Sequence, residues 1–145
     1  MAVQTSYTET AAIAYAGMVA NMEPNVIVSR AVEAAAITFG QPVERGTADA
    51  GCIKGAGSNP FLGIAVADPA QPVGTPGVYA VASVAGVMTK GVIWVTAKEA
   101  VDAGDPVTYD STSGWTSDTV NDTAVTGAVY DTTAGAGALV KIRLG

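Results

Sequence analysis

The chain has 145 residues, of which 49% are hydrophobic and 14% are charged, and its formal net charge is −6. This length predicts one domain that buries about 70% of its unfolded surface, and the composition excludes a body that is disordered through low hydropathy and high charge. The seven basic residues are scattered, so the sequence lacks the basic footprint that direct nucleic-acid binding requires.

Residues 1–25 are predicted to form an extended N-terminal arm. Gly17 interrupts the only helix-like stretch, and the apolar residues do not keep a 3.6-residue spacing. The arm could lie across a neighbouring subunit or a shell, or it could pack back on its own body. Met1 is followed by neither the basic nor the apolar region of a signal peptide, so standard secretion is not expected. The candidate contact residues are the isolated apolar ones: Tyr7, Ile13, Tyr15, Met18 and Met22.

Residues 26–145 are predicted to form a single β-rich body. It begins with a strand at 26–29, a helical turn or two at 30–36 and extended structure from 38. The prolines of the 68–77 loop prevent a continuous sheet there, and residues 97–103 are predicted to form a short helix that ends at Gly104. Further strands are predicted at 52–54, 61–67, 79–84, 86–90, 92–96, 107–109, 124–130 and 138–143.

Short strands at near-regular spacing predict an all-β fold, either a compact β-barrel or a β-sandwich, with little helix. The apolar stretch 78–95 is almost long enough to cross a membrane, but Lys90 and two glycines argue against a span. The predicted core contains Phe61, Ile64, Val66, Val81, Val92, Trp94, Val107, Val129, Val140 and Ile142.

Catalytic chemistry is sparse in this sequence. The absence of histidine excludes Ser-His-Asp and Cys-His arrangements and all histidine metal sites. Cys52 is the only cysteine, so no internal disulfide is possible, and we interpret it as a small packed residue in a protein that folds in a reducing compartment. Gly55-Ala56-Gly57 lacks the remaining residues of a phosphate-binding loop, and Asp102, Asp105 and Asp110 are too sparse for a calcium loop. We therefore expect no enzyme activity, cofactor or metal.

The order and spacing of several strand-and-glycine segments carry a resemblance that spans nearly the whole chain. Together they resemble the structural cement, or head decoration, proteins of tailed bacteriophages. Each segment alone has little specificity, since many β-barrels contain similar strand-and-glycine sequences. The segments are 16–20, 29–33, 37–46, 61–65, 90–95, 103–107 and 138–145.

This resemblance implies a small β-rich protein that is made in the host cytoplasm and joins the outer surface of the assembled virion head. It implies two partners, the major capsid protein and further copies of the chain, commonly in a homotrimer, and no contact with nucleic acid or membrane. Two alternatives remain open on the sequence. One is a tail, baseplate or adhesin module that binds a receptor or glycan, and the other is a small enzyme with a carboxylate-only site.

Overall fold

The computed structural model describes residues 14–70 and 77–145, and within these residues it contains eleven β-strands and no helix. The all-β prediction is confirmed. The strands are β1 (Val26–Val32), β2 (Ile37–Thr38), β3 (Pro42–Arg45), β4 (Gly51–Lys54), β5 (Phe61–Ala65), β6 (Val78–Tyr79), β7 (Val84–Thr96), β8 (Pro106–Tyr109), β9 (Trp115–Thr116), β10 (Thr123–Tyr130) and β11 (Leu139–Leu144).

The first half of the chain forms a small closed barrel. Its strands follow the order β1-β4-β3-β5-β7, and β1 pairs with β7 to close the ring. All neighbours in this ring are antiparallel except β1 and β4, which are parallel. The smaller core cluster combines residues of this barrel with Ile37 and Tyr79, which face each other in the separate two-stranded sheet β2-β6. Its other members are Val32, Val43, Cys52, Ala65, Ala85 and Val87.

Strand β7 belongs to both halves of the molecule. Its first part, residues 84–90, pairs with β1 and β5, whereas residues 91–96 pair with β11. Gly91 lies at this change of partner with a φ of 128°. A Cβ atom there would approach the Cβ of Asn25 to 2.7 Å, so the crossing requires a glycine.

The second half of the chain also folds into a barrel-like arrangement. The sheet continues from β7 through β11, β10 and β8 to β9, and a bridge between Ala97 and Trp115 brings β9 back to the end of β7. The larger core lies here, and Ile64 and Met88 extend it to the first barrel. Its other buried residues are Ile93, Val95, Ala97, Val101, Val107, Tyr109, Trp115, Val125, Ala128, Tyr130, Val140, Ile142 and Leu144. The sheet as a whole is therefore barrel-like.

Both predicted helical segments are wrong. Arg30, Ala31 and Val32 continue β1, because this part of the chain pairs with β7 on one side and with β4 on the other. Residues 97–103 are held by single bridges, from Ala97 to Trp115 and from Val101 to Ala134. Gly104 does adopt a positive φ, 96°, but it lies within a turn closed by the Asp105 N–H and the Asp102 carbonyl, and it does not end a helix.

The predicted core is only partly correct. Ile64, Val92, Val107, Val140 and Ile142 are buried, and Phe61 and Val66 pack against the larger core as half-buried residues.

Three predicted core residues do not lie in the core. Val81 is 49% exposed in a turn, and Val129 is 39% exposed because it alternates with the buried Ala128 and Tyr130. Trp94 is half-buried between the buried Ile93 and Val95. The Lys141 ammonium lies 5.0 Å from the centroid of the Trp94 ring, as expected for an outward-facing aromatic residue.

Within residues 14–70 and 77–145 there is no helix of the length and hydrophobicity that a membrane crossing would need. The apolar stretch considered above forms β6, a turn and most of β7.

Candidate interaction surface

The described part of the N-terminal segment, residues 14–25, runs along β7. Gly17 donates its N–H to the carbonyl of Trp94 at 2.7 Å, Trp94 donates to Met18 at 2.9 Å, and Ala20 donates to Val92 at 2.9 Å. Val19 forms an antiparallel bridge with Ile93. Residues 17–20 therefore behave as a short added strand on their own body.

Gly17 makes this docking possible. Its φ is 87°, and a Cβ at this position would lie 2.8 Å from the amide nitrogen of Ala67 and 2.9 Å from the Cβ of Phe39. The Gly17 carbonyl also accepts a hydrogen bond from Ala67 at 2.8 Å. The backbone thus approaches the barrel more closely than any side chain would allow.

The predicted contact residues lie on both sides of this docked stretch. Tyr15 precedes the docked stretch and is 53% exposed. Met18 lies within the stretch and is half-buried. Met22 follows the stretch, and its side chain is fully exposed. Tyr7 and Ile13 lie outside the described residues.

Further apolar side chains are exposed on β1 and on the strand paired with it, and sequence reasoning did not single them out. Val26 and Ile27 at the start of β1 are 48% and 44% exposed, and Val84, opposite Ala31 on β7, is 58% exposed. A signal was present in the sequence, since Val26-Ile27-Val28 is an uncharged β-branched run without the alternation of a half-buried strand. These residues add exposed apolar area to β1 and its partner strand, next to the charged Arg30 on β1 and Lys90 opposite Val26.

Glu44 is a fully buried carboxylate, and its role is structural. Its oxygens accept hydrogen bonds from the backbone N–H groups of Ala56, Gly57 and Asn59 and from the hydroxyl of Tyr109 at 2.8 Å. Burial alone raises the pKa of Glu44, but these hydrogen bonds outweigh it, so the pKa lies below its ordinary value. The carboxylate stays ionised.

The glycine-containing loop therefore does bind an anion, namely the protein's own carboxylate. Burial and the hydrogen bond to Glu44 raise the pKa of Tyr109, so its phenol remains a donor. Because Glu44 lies on β3 and Tyr109 on β8, the contact joins the two halves of the molecule. Ser113 adds a hydrogen bond to the Gly55 carbonyl, and Trp115 adds one from Nε1 to the Gly40 carbonyl at 2.7 Å.

The other candidate chemical groups are also engaged in structure. Asp110 pairs with Lys98 and accepts from the N–H of Gly114 at 2.8 Å; burial opposes ionisation, but these contacts hold its pKa well below the usual range. Burial, and then the charge of Glu33, raises the pKa of the buried Cys52 thiol, which makes it a poor nucleophile. Asp105 caps the Asp102 N–H at 2.9 Å. The part of the chain that the structure describes holds no cluster of potential metal ligands.

An open cleft of about 310 Å³ lies where the segment after Met22 meets the C-terminus. It is lined by Glu23, Pro24, Lys90, Gly91, Arg143, Leu144 and Gly145. Arg143 forms ion pairs with Glu23 and Asp131. The cleft charges are thus largely neutralised within the chain.

Comparison with one solved structure supports this fold. The chain superposes on a chain of the structure described as "The capsid of Myoviridae Phage XM1", with a TM-score of 0.78, 22% identity, and coverage of 100% of this chain and 98% of that one. It also resembles "The crystal structure of head fiber gp8.5 N base in bacteriophage phi29", with a TM-score of 0.49, 12% identity, and coverage of 84% and 95%. No match is found among the curated proteins.

A family model supplies the assignment. Residues 3–145 match the phage family described as "Structural cement protein (E217 gp24/Pam3 gp6)". The match covers both halves of the barrel-like sheet as well as most of the N-terminal segment. The chain therefore belongs to the structural cement protein family of phages.

Proposed function

We infer that this protein binds the outside of the assembled phage head and stabilises it by bridging neighbouring major capsid protein subunits. The observation that carries this proposal is the match to the structural cement protein family over residues 3–145. The protein acts as a structural component of the virion and not as an enzyme.

The chemistry of the described surface supports a role in protein–protein contact. The buried carboxylate, the buried thiol and the Asp110 cluster all serve the fold, whereas the exposed features are apolar side chains on a chain with only 14% charged residues. Exposed apolar residues near one another mark interaction surfaces. Met22, Val26 and Ile27 form such a group at the start of β1.

The proposed partners are the major capsid protein and two further copies of this chain in a homotrimer. The proposed contact residues are Tyr7, Ile13, Tyr15, Met18 and Met22. Of these, Met22 and Tyr15 have the exposure that a direct anchor needs.

A cement protein stabilises a shell through linkage. A protein that binds the assembled lattice but not the separated subunits shifts the equilibrium toward the lattice by mass action. Several linked contacts for each trimer raise the avidity without requiring strong individual contacts.

Head binding by the purified protein tests this function. We expect wild-type protein to co-sediment with tailless, undecorated heads, and Met22→Ser to bind at least several-fold more weakly. Val120→Ser is the matched control, because Val120 is 86% exposed but lies in the loop before β10. Absence of wild-type protein from the head pellet would contradict the proposal.

A further inference from the structure

One edge of β1 has no strand beside it in the described part of the chain. β4 covers β1 only at Ala31 and Val32, where the Ala31 N–H bonds to the Ala50 carbonyl at 2.9 Å. Ser29 lies opposite Gly86, whose carbonyl accepts from Val66 on the side of β7 away from β1. Opposed antiparallel residues either bond to each other or both point away, so Ser29 directs its N–H and carbonyl to the uncovered edge. We call residues Ile27 to Ser29 the open edge of β1.

A β-bulge between Val26 and Ile27, with Lys90 opposite Val26, protects only the start of this strand, and the open edge beyond it has none of the usual devices. Ser29 is exposed, Ile27 is 44% exposed, and neither a lysine nor a proline occurs from Val26 to Ser29. A solvent-exposed, uncharged strand edge is a template for pairing with another chain. A functional protein of this kind needs an occupant for that edge.

The sequence before Ala14 has the properties of such an occupant. Val3, Thr5 and Tyr7 alternate with polar residues, and residues 2–8 carry no charged side chain. Fully extended, residues 1–13 span at most about 45 Å. That exceeds the radius of gyration of about 15 Å expected for a domain of this size, so the segment can reach a neighbouring molecule.

The docked stretch that follows uses the same kind of contact. Residues 17–20 already add to β7 through backbone hydrogen bonds and the Val19–Ile93 bridge.

We propose that the open edge of β1 accepts residues 3–8 of a neighbouring copy of this chain as an added β-strand. Backbone hydrogen bonds supply the pairing, and alternate side chains of the added strand contact the exposed apolar residues of β1. Each subunit donates one segment and accepts one, which is a head-to-tail contact that closes into a ring. This inference rests on the proposed self-association into a trimer and is independent of head binding.

Cysteine cross-linking tests the contact directly. One chain carries Ser29→Cys, and a second chain carries Val3→Cys, Thr5→Cys or Tyr7→Cys. The three positions are tested in turn to identify which residue of the added strand lies opposite Ser29. The two chains are mixed under mild oxidation, both without heads and with undecorated heads. At least one pair of variants should give a covalent dimer. Ser111→Cys, on an exposed turn, is the control acceptor and should give none.

Three results would overturn the inference. They are no cross-link between the two chains either free or on heads, a cross-link equally strong with the control acceptor, or, in a double variant that carries both cysteines, a disulfide that forms only within the monomer. The pelleting of wild-type protein with heads is measured in the same samples, so a failed contact and a failed function are distinguishable.

A second variant gives an independent readout. Ser29→Pro removes the N–H on the open edge and also restricts the backbone at this position, but it leaves the donors that β1 directs to β7 in place. We expect the variant to remain folded, which thermal unfolding checks, while the covalent dimer is lost when the proline is introduced into the accepting chain next to Ile27→Cys. Ser29→Thr in the same chain keeps the donor and should retain the cross-link. Equal cross-linking by both variants would contradict strand addition.

Discussion

At the scale of single residues, Glu44 is the polar group on which the fold depends most. It is fully buried, and each of its hydrogen-bond partners lies either in the 55–60 loop or on β8. A charged acceptor surrounded by donors is costly to lose, because its removal leaves those donors buried without partners. One side chain thus shapes a loop and joins the two halves of the body.

Replacing Glu44 should therefore destabilise the protein clearly. We expect Glu44→Gln to lower the free energy of unfolding by about 2 kcal/mol or more, since hydrogen bonds to a charged group contribute roughly 1.5–3 kcal/mol. Urea denaturation measures this. Glu33→Gln is the matched control, because Glu33 also accepts two backbone N–H bonds, from Thr47 and Ala48, but in solvent. An equal effect of both variants would show that burial of Glu44 does not matter.

The same residue predicts a pH dependence. The pKa of Glu44 is lower in the folded protein, so its contribution is complete above the unfolded value of about 4.3 and is lost as the pH falls through the folded value. We expect the stability difference between wild type and Glu44→Gln to be constant from pH 7 to 5 and to shrink below about pH 4. A difference that grows on acidification would contradict the assigned direction.

At the scale of elements, the docked stretch 17–20 and β7 form one unit. Gly17→Ala would place a Cβ against Ala67 and Phe39 at a backbone φ of 87°. We expect this change to cost roughly 1–3 kcal/mol and to speed amide exchange at Ala20 and Trp94. Hydrogen exchange detected by NMR measures both sites.

Gly104→Ala is the control for that prediction. Gly104 has a φ of 96°, but nothing lies within 4 Å of its would-be Cβ, so the substitution carries only the backbone penalty. If the two variants lose equal stability, close packing of Gly17 on the barrel is not the reason for the glycine.

The strands could be predicted because β-branched runs and turn residues are local signals. The strands predicted at 107–109, 124–130 and 138–143 lie within one residue of the observed limits of β8, β10 and β11. The strands predicted separately at 86–90 and 92–96 are both parts of the single long strand β7. Arg30 to Ala36 has helix-forming composition, yet Ala31 and Val32 are fixed by β4 and β7, which are distant in the sequence. Tertiary pairing overrode local propensity there.

The candidate surface was predicted less completely, for a physical reason. Val129 was assigned to the core although it faces solvent, because the face of a strand depends on register, and a shift of one residue exchanges the two faces. Val26 and Ile27 were missed as surface residues because an apolar run has the same pattern whether it is covered or exposed. The partners of Glu44 come from two segments that are about 50 residues apart, the 55–60 loop and β8, and no spacing in the sequence links them.

At the scale of the whole molecule, the N-terminal segment divides into two parts. Residues 17–20 bond to β7 and belong structurally to the body. Deletion of residues 2–13 should leave the unfolding midpoint nearly unchanged and weaken self-association or head binding. Deletion of residues 2–22 should also lower stability, because it removes the bonds to Trp94 and Val92. Thermal unfolding and head sedimentation separate these effects, and unchanged head affinity after the shorter deletion would contradict a binding role for the segment.

The central claim is that the protein decorates the assembled head, and imaging tests it most directly. Purified protein is mixed with undecorated heads, and the heads are reconstructed by cryo-electron microscopy. The account predicts new density on the outer surface at three-fold or quasi-three-fold positions, each spanning at least two major capsid protein subunits and fitting three copies of this barrel-like body. Heads that remain bare, or density confined to the tail or to the inner face of the shell, would contradict it.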